Sequence, residues 1–179
     1  MGVLIDWISQ PPTPCDLLLV AMPGVGDVGK LAIDAVNAEL DAEPIARILH
    51  PALPPLAKLD EDGLLAPPHI LLSRVIVDGR EVYTLTGDAQ PMTPEGQHEL
   101  AVSVLELCEG GEVLVLAGMS AQAERKEVFT ITSSSSYRIE LESMGVDVRR
   151  DEPKAGVIGM AALITAIGPI KNVKTSCTI

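Results

Sequence analysis

Apolar residues recur along this chain in two rhythms that take turns. Leu17, Leu18, Leu19, Val20 and Ala21 form a short unbroken apolar run, the pattern of a strand covered on both faces. It ends at Pro23 and a cluster of glycines. Over residues 28–40 the apolar positions are Val28, Leu31, Ala32, Ala35, Val36 and Leu40, and their spacing of three and four predicts a helix with those residues on its core face. Residues 45–49 read as a second strand. Pro51, Pro54 and Pro55 then exclude helix. Asp60, Glu61, Asp62 and Gly63 read as a charged turn rather than a metal site.

The strongest local signal follows. Residues 70–77 and 81–85 flank Asp78–Gly79, the dipeptide whose tolerance of positive φ suits a two-residue hairpin loop. A helix starts at Thr93–Pro94, with Thr as N-cap and Pro in the first helical position. Its apolar face carries Leu100, Ala101, Val104, Leu105 and Cys108, and Gly110–Gly111 stops it. Residues 113–117 read as a buried strand and 128–132 as a shorter one. The serines at 133–136 cap a helix ending near Gly145, residues 146–148 suggest a short strand, and 158–167 an apolar helix. This alternation predicts one α/β domain over residues 1–179, a three-layer sandwich with a mixed, mostly parallel sheet. Residues 1–16 are expected as an N-terminal extension and 171–179 as a loose polar tail.

Composition narrows the function. Thirteen Lys and Arg against 25 Asp and Glu give a net charge of −12, unsuited to a nucleic-acid binder or an anionic membrane surface. Apolar residues make up 47% and charged residues 21%, a globular composition. The uncharged stretch 155–170 is 16 residues long, short of the roughly 20 that span a bilayer, and the first ten residues lack a basic signal-peptide start. A cytoplasmic chain is expected. Three separated cysteines, Cys15, Cys108 and Cys177, without CxxC, argue against a disulfide framework or a zinc site, and Cys108 reads as an inert buried thiol.

Residues 24–29 fit GxGxxG between a strand and a helix. Pro23 before the first glycine, Asp27 inside the loop and the lack of an acid at the end of the second strand oppose dinucleotide binding. Gly24 and Gly26 then serve a tight turn, and Gly29 close packing of helix on sheet. No cofactor is expected. Asp88 and Gln90 lie past the end of a strand, where α/β ligand sites form, although Asp88 also suits a turn. Glu95 sits in the first turn of its helix, favourable against the helix dipole. No GxSxG elbow accompanies the serine run.

Four segments in order resemble one family. They are Met22–Pro23–Gly24–Val25–Gly26–Asp27–Val28–Gly29, then His50–Pro51–Ala52–Leu53–Pro54–Pro55. Next comes Thr86–Gly87–Asp88–Ala89–Gln90–Pro91 with Thr93–Pro94–Glu95–Gly96–Gln97, and finally Gly156–Val157–Ile158–Gly159–Met160. The chain resembles the proteasome assembly chaperones of the type named for the second eukaryotic chaperone, over about residues 17–170. The resemblance implies a fold similar to purine nucleoside phosphorylases without their catalytic residues, homo-oligomers, and, for some members, help in assembling proteasome α-subunits. It marks Pro23, Gly24, Gly26, Gly29, Pro54, Pro55, Gly87, Asp88, Gln90, Pro91, Glu95 and Gly159 as ligand or interface positions. Such helpers carry a hydrophobic–tyrosine–any tail. This chain ends Ser176–Cys177–Thr178–Ile179, so that docking mode is not expected here. Two functional readings follow. One is a non-enzymatic, homo-oligomeric, protein-binding assembly factor. The other is a protein or enzyme that binds a nucleoside, nucleotide or phosphate at the loops 24–29 and 87–90.

Overall fold

A computed structural model describes residues 2–12, 14–60, 62–120 and 126–179. In chain order the elements are β1 (Leu4–Trp7), β2 (Leu17–Ala21), α1 (Val28–Glu39), β3 (Glu43–Leu49), β4 (Lys58–Leu59), β5 (Leu65–Ala66), β6 (Ile70–Val77) and β7 (Arg80–Gly87). They continue with α2 (Pro94–Leu107), β8 (Glu112–Leu116), β9 (Thr130–Thr132), α3 (Ser135–Ser143), α4 (Gly159–Ile167) and β10 (Lys174–Thr178). Val148 makes only a single parallel bridge to Thr130.

Eight strands form one sheet in the order β1-β3-β6-β7-β2-β8-β10-β9, and β4 and β5 make a separate two-stranded ribbon. The sheet is mixed, as expected, but not mostly parallel. Three pairings are parallel (β7–β2, β2–β8, β8–β10) and four are antiparallel. The reason lies in the connections. Helical crossovers deliver parallel neighbours, whereas the Asp78–Gly79 turn can only return the chain antiparallel. Both turn residues have positive φ, 49° and 77°, as that dipeptide demands.

Helices cover both faces. Thr84 of β7 donates to Asn37 of α1 at 2.7 Å, while its neighbours Tyr83 and Leu85 join the core with Leu100 and Val104 of α2. Alternation along a strand therefore places α1 on one face and α2 on the other. On the α2 side, α4 packs against α2, β8 and β10. On the α1 side, α3 sits over the sheet's far end, where the Tyr137 hydroxyl donates to Glu112 of β8.

Three expectations are corrected. Residues 171–179 are no loose tail, because β10 lies between β8 and β9. Two of its hydroxyls are paired there: Thr175 donates to the Thr165 carbonyl at 2.8 Å, and Thr178 hydrogen-bonds Thr130 at 2.9 Å. Residues 1–16 are not merely an extension, since β1 pairs with β3. Cys108 is not a free thiol. The end of α2 returns to the start of β2, and Cys15 and Cys108, 93 residues apart, are joined as a disulfide with Cα atoms 4.9 Å apart.

The helix of residues 28–40 exists, but its core face is not the expected one. Gly29 and Ile33 are buried, while Val28, Leu31, Ala32 and Ala35 face solvent. Asp60 makes the anticipated turn, its Oδ1 accepting from the backbone of Asp62 and Leu64. Of the acidic trio there, Glu61 lies outside the described residues, as do residues 124 and 125 of the charge run at 124–127. Glu127 pairs with Arg149 at 2.8 Å.

Candidate functional site

The parallel strands β2, β8 and β10 end on the same side of the sheet, beside the starts of α1 and α4. Open α/β sheets form their crevice at such carboxyl ends. Here it is a cavity of about 720 Å³, walled by residues 22–25, by 115–120 and by the segment 155–161. Among the described residues its lining carries no charged side chain. Val25, Val28, Met119 and Ile158 give it an exposed apolar rim.

Gln90 holds two of these walls together. Its Nε2 donates to the Pro23 carbonyl at 2.7 Å, and its Oε1 accepts from the Met160 N–H at 3.1 Å. One amide thus ties the glycine loop to the first turn of α4, whose N–H groups have no intrahelical partner. Gly159 has φ +73°, and a Cβ there would lie 2.9 Å from Gln90 Oε1, so only glycine leaves room for the clamp. Gly29 permits the close packing read from the sequence, because a Cβ there would strike the Leu116 backbone carbonyl.

The glycine loop is closed on itself. Asp27 Oδ1 accepts from the Gly24 N–H at 3.2 Å. A dinucleotide loop offers such an N–H to phosphate; here a carboxylate occupies that direction.

The sequence-marked residues divide into groups. Pro23, Gly24, Gly29, Gln90 and Gly159 line the large cavity. Pro54, Gly87 and Asp88 line a second cavity of about 310 Å³ on the α1 side, under the β4–β5 ribbon. Asp88 accepts from Lys58 at 2.6 Å, and this bond holds its carboxyl below the usual range. Both partners are mostly exposed, so the pair adds little stability. Gly26, Pro55, Pro91 and Glu95 line neither cavity. The Pro91 carbonyl accepts from Gln97 at 2.9 Å, and Glu95 sits in the first turn of α2, after Thr93, whose hydroxyl accepts from the Gly96 N–H. Sequence reasoning missed Lys30, Lys58 and His69 of the second cavity, because no spacing links them. Among the described residues no group of three His, Cys, Asp or Glu is placed to hold a metal ion.

The chain is thus an α/β protein with helices on both sides of a mixed sheet and an uncharged crevice at the ends of its parallel strands. The profile of the PAC2 family matches residues 18–179, and the chain belongs to the PAC2 family. An uncharacterized protein of Methanocaldococcus jannaschii is 23% identical over 168 residues, covering 90% of this chain, which spans 63% of that relative's length. Among solved structures, Pyrococcus furiosus PbaB, an archaeal proteasome activator, superposes with a TM-score of 0.83 at 20% identity, over 99% of this chain and 79% of that one. Pyrococcus furiosus PbaA, an archaeal homolog of proteasome-assembly chaperone, gives 0.76 at 22% identity, over 97% and 71%. A PAC2 family protein from Streptomyces avermitilis gives 0.70 at 20% identity, over 91% and 74%. No helix among the described residues is long and apolar enough to cross a membrane.

Proposed function

We propose that this chain is a non-enzymatic protein-binding subunit that works as a homo-oligomer and assists the assembly of proteasome α-subunits. The observation that carries the reading is the outer face of α1. Val28 and Leu31 are 58% and 61% exposed, Ala32 and Ala35 extend the stripe, and Val25 precedes it. Apolar residues at helical spacing that the fold leaves uncovered form a surface that another protein covers. Membership of the PAC2 family and the likeness to a proteasome activator and an assembly-chaperone homolog support the proteasome part of the proposal.

The competing reading is a nucleoside, nucleotide or phosphate site at the glycine loop. The uncharged cavity lining and the Asp27 carboxylate on Gly24 speak for protein binding over a phosphate ligand. Light scattering on the purified chain tests the oligomer. Particles at a multiple of 18.9 kDa are expected at micromolar concentration, and Leu31→Asp dissociates them. A monomeric wild type would overturn the homo-oligomer. A ligand at 100 times its Kd stabilises by about 2.7 kcal/mol, so a melting shift of that size with AMP, adenosine or phosphate would favour the competing reading.

A further inference from the structure

The parallel neighbours β2 and β8 lie in the interior of the sheet, where such strands are normally covered on both faces. Here only one face is closed. Leu18, Val20, Val113 and Val115 point to the α2 side and are 0–2% exposed. Leu17, Leu19, Leu114 and Leu116 alternate with them, point to the α1 side and are only half-buried.

The placement of α1 explains the opening. Gly29 sits on the Leu116 carbonyl, and Val28 lies against Gly118 just past β8. Lys30, Asp34 and Asn37 occupy the flank towards β7, where Asn37 accepts from Thr84 at 2.7 Å. At about 100° per residue, Val28, Ala32 and Ala35 fall on the opposite flank, over β8, and Leu31 points away from its own sheet. The helix α3 stands further along, against β9, so the β8 leucines between α1 and α3 stay half-open.

Size and charge say what covers this face. Val25, Val28 and Leu31 are 51%, 58% and 61% exposed, and with Ala32, Ala35, Ala38 and the leucine floor they offer roughly 600 Å² of apolar surface, the upper end for the largest patch on a monomer. A stable interface buries about 800 Å² per partner, rather more than half of it apolar, and the patch supplies that part. None of these residues is charged, and Lys30 and Asp34 pair with each other on the far flank at 2.6 Å. Two chains of net charge −12 repel, so they meet most readily through such an uncharged area.

We propose that a second copy of this chain covers the open face by a two-fold contact. The two α1 helices lie side by side, Ala32 and Ala35 against their counterparts, and Leu31 of each copy rests on the β8 leucines of the other. Alanine lets the helices approach closely, and one patch supplies both knob and floor, as a two-fold interface requires. This rests on the homo-oligomer reading above and names its interface.

Cysteine pairing on the full chain tests it. Ala32→Cys and Ala35→Cys put thiols near the axis, where a residue meets its own copy within the roughly 7 Å between Cα atoms that a disulfide spans. Ser143→Cys, exposed on α3, is the control. Under mild oxidation at least one alanine variant should give covalent dimers of twice 18.9 kDa, at ten times the yield of Ser143→Cys or of wild type, whose free Cys177 is buried. Light scattering should count an even number of copies in wild type. Leu114→Ser, which cuts the floor without touching α1, should weaken self-association at least tenfold. An oligomer that links at neither alanine, links equally through Ser143→Cys or holds an odd number of copies overturns this interface and leaves the homo-oligomer standing. A folded Leu114→Ser that self-associates like wild type does the same. A monomeric wild type overturns both.

Discussion

Replacing Gln90 tests how the two sides of the large cavity are held. Gln90→Ala removes a donor to the Pro23 carbonyl and an acceptor for the Met160 N–H, at 2.7 and 3.1 Å. Each lost bond costs about 0.5–1.5 kcal/mol, and a partner left without water costs more. The site is half-buried, so the total comes to about 2–3 kcal/mol. For a chain of this size that is a fall of about 4–12 °C in Tm. Gln90→Glu separates the two bonds. A carboxylate still accepts from Met160, where a negative charge at a helix start is favourable, but it cannot donate to the Pro23 oxygen. Urea unfolding at pH 7.5 reads this directly. Gln90→Glu should lie between wild type and Gln90→Ala. A Gln90→Ala variant within 0.5 kcal/mol of wild type, or a Gln90→Glu variant as stable as wild type, would refute the clamp.

Other outcomes follow from the packing. Gly29→Ala drives a methyl into the Leu116 carbonyl, so α1 must shift; a loss of about 1–3 kcal/mol in urea unfolding is expected. Alkylation in denaturant without reductant should label Cys177 alone and add two sites after reduction, with reduction lowering stability by about 4–5 kcal/mol for a 93-residue separation. Burial pushes the Cys177 thiol from near 9 up to about 12. Its contribution is full below the unfolded value and is lost as pH rises from about 9 towards 12, at up to about 1.4 kcal/mol per unit. Stability of wild type relative to Cys177→Ala should fall along that limb and stay flat below pH 8.

What could be read in advance was local chemistry. The Asp78–Gly79 turn and the Thr93–Pro94 helix start each depend on neighbouring residues only, and both stand where the pattern put them. The orientation of α1 was hidden because apolar spacing marks a stripe without saying what covers it. The residue that nestles on the sheet is Gly29, which adds nothing to a hydrophobic count, and the stripe of Val28 and Leu31 points outward. The strand β10 was hidden because Lys-Thr-Ser-Cys-Thr looks polar. It is buried between β8 and β9, with Thr175 bonded to the Thr165 carbonyl and Thr178 to Thr130, partners that only the assembled fold supplies. The Cys15–Cys108 disulfide and the grouping of Lys30, Lys58 and Asp88 likewise join distant segments. Gln90 was read as a residue that could bind a polar ligand, whereas its amide bonds Pro23 and Met160.

The most direct test of the central proposal is native mass spectrometry of proteasome α-subunits from the same organism, incubated with and without this chain. The account predicts a complex of the chain with α-subunits and a faster approach to α-rings, both lost in Leu31→Asp. Rings that form at the same rate with no bound chain would contradict an assembly role.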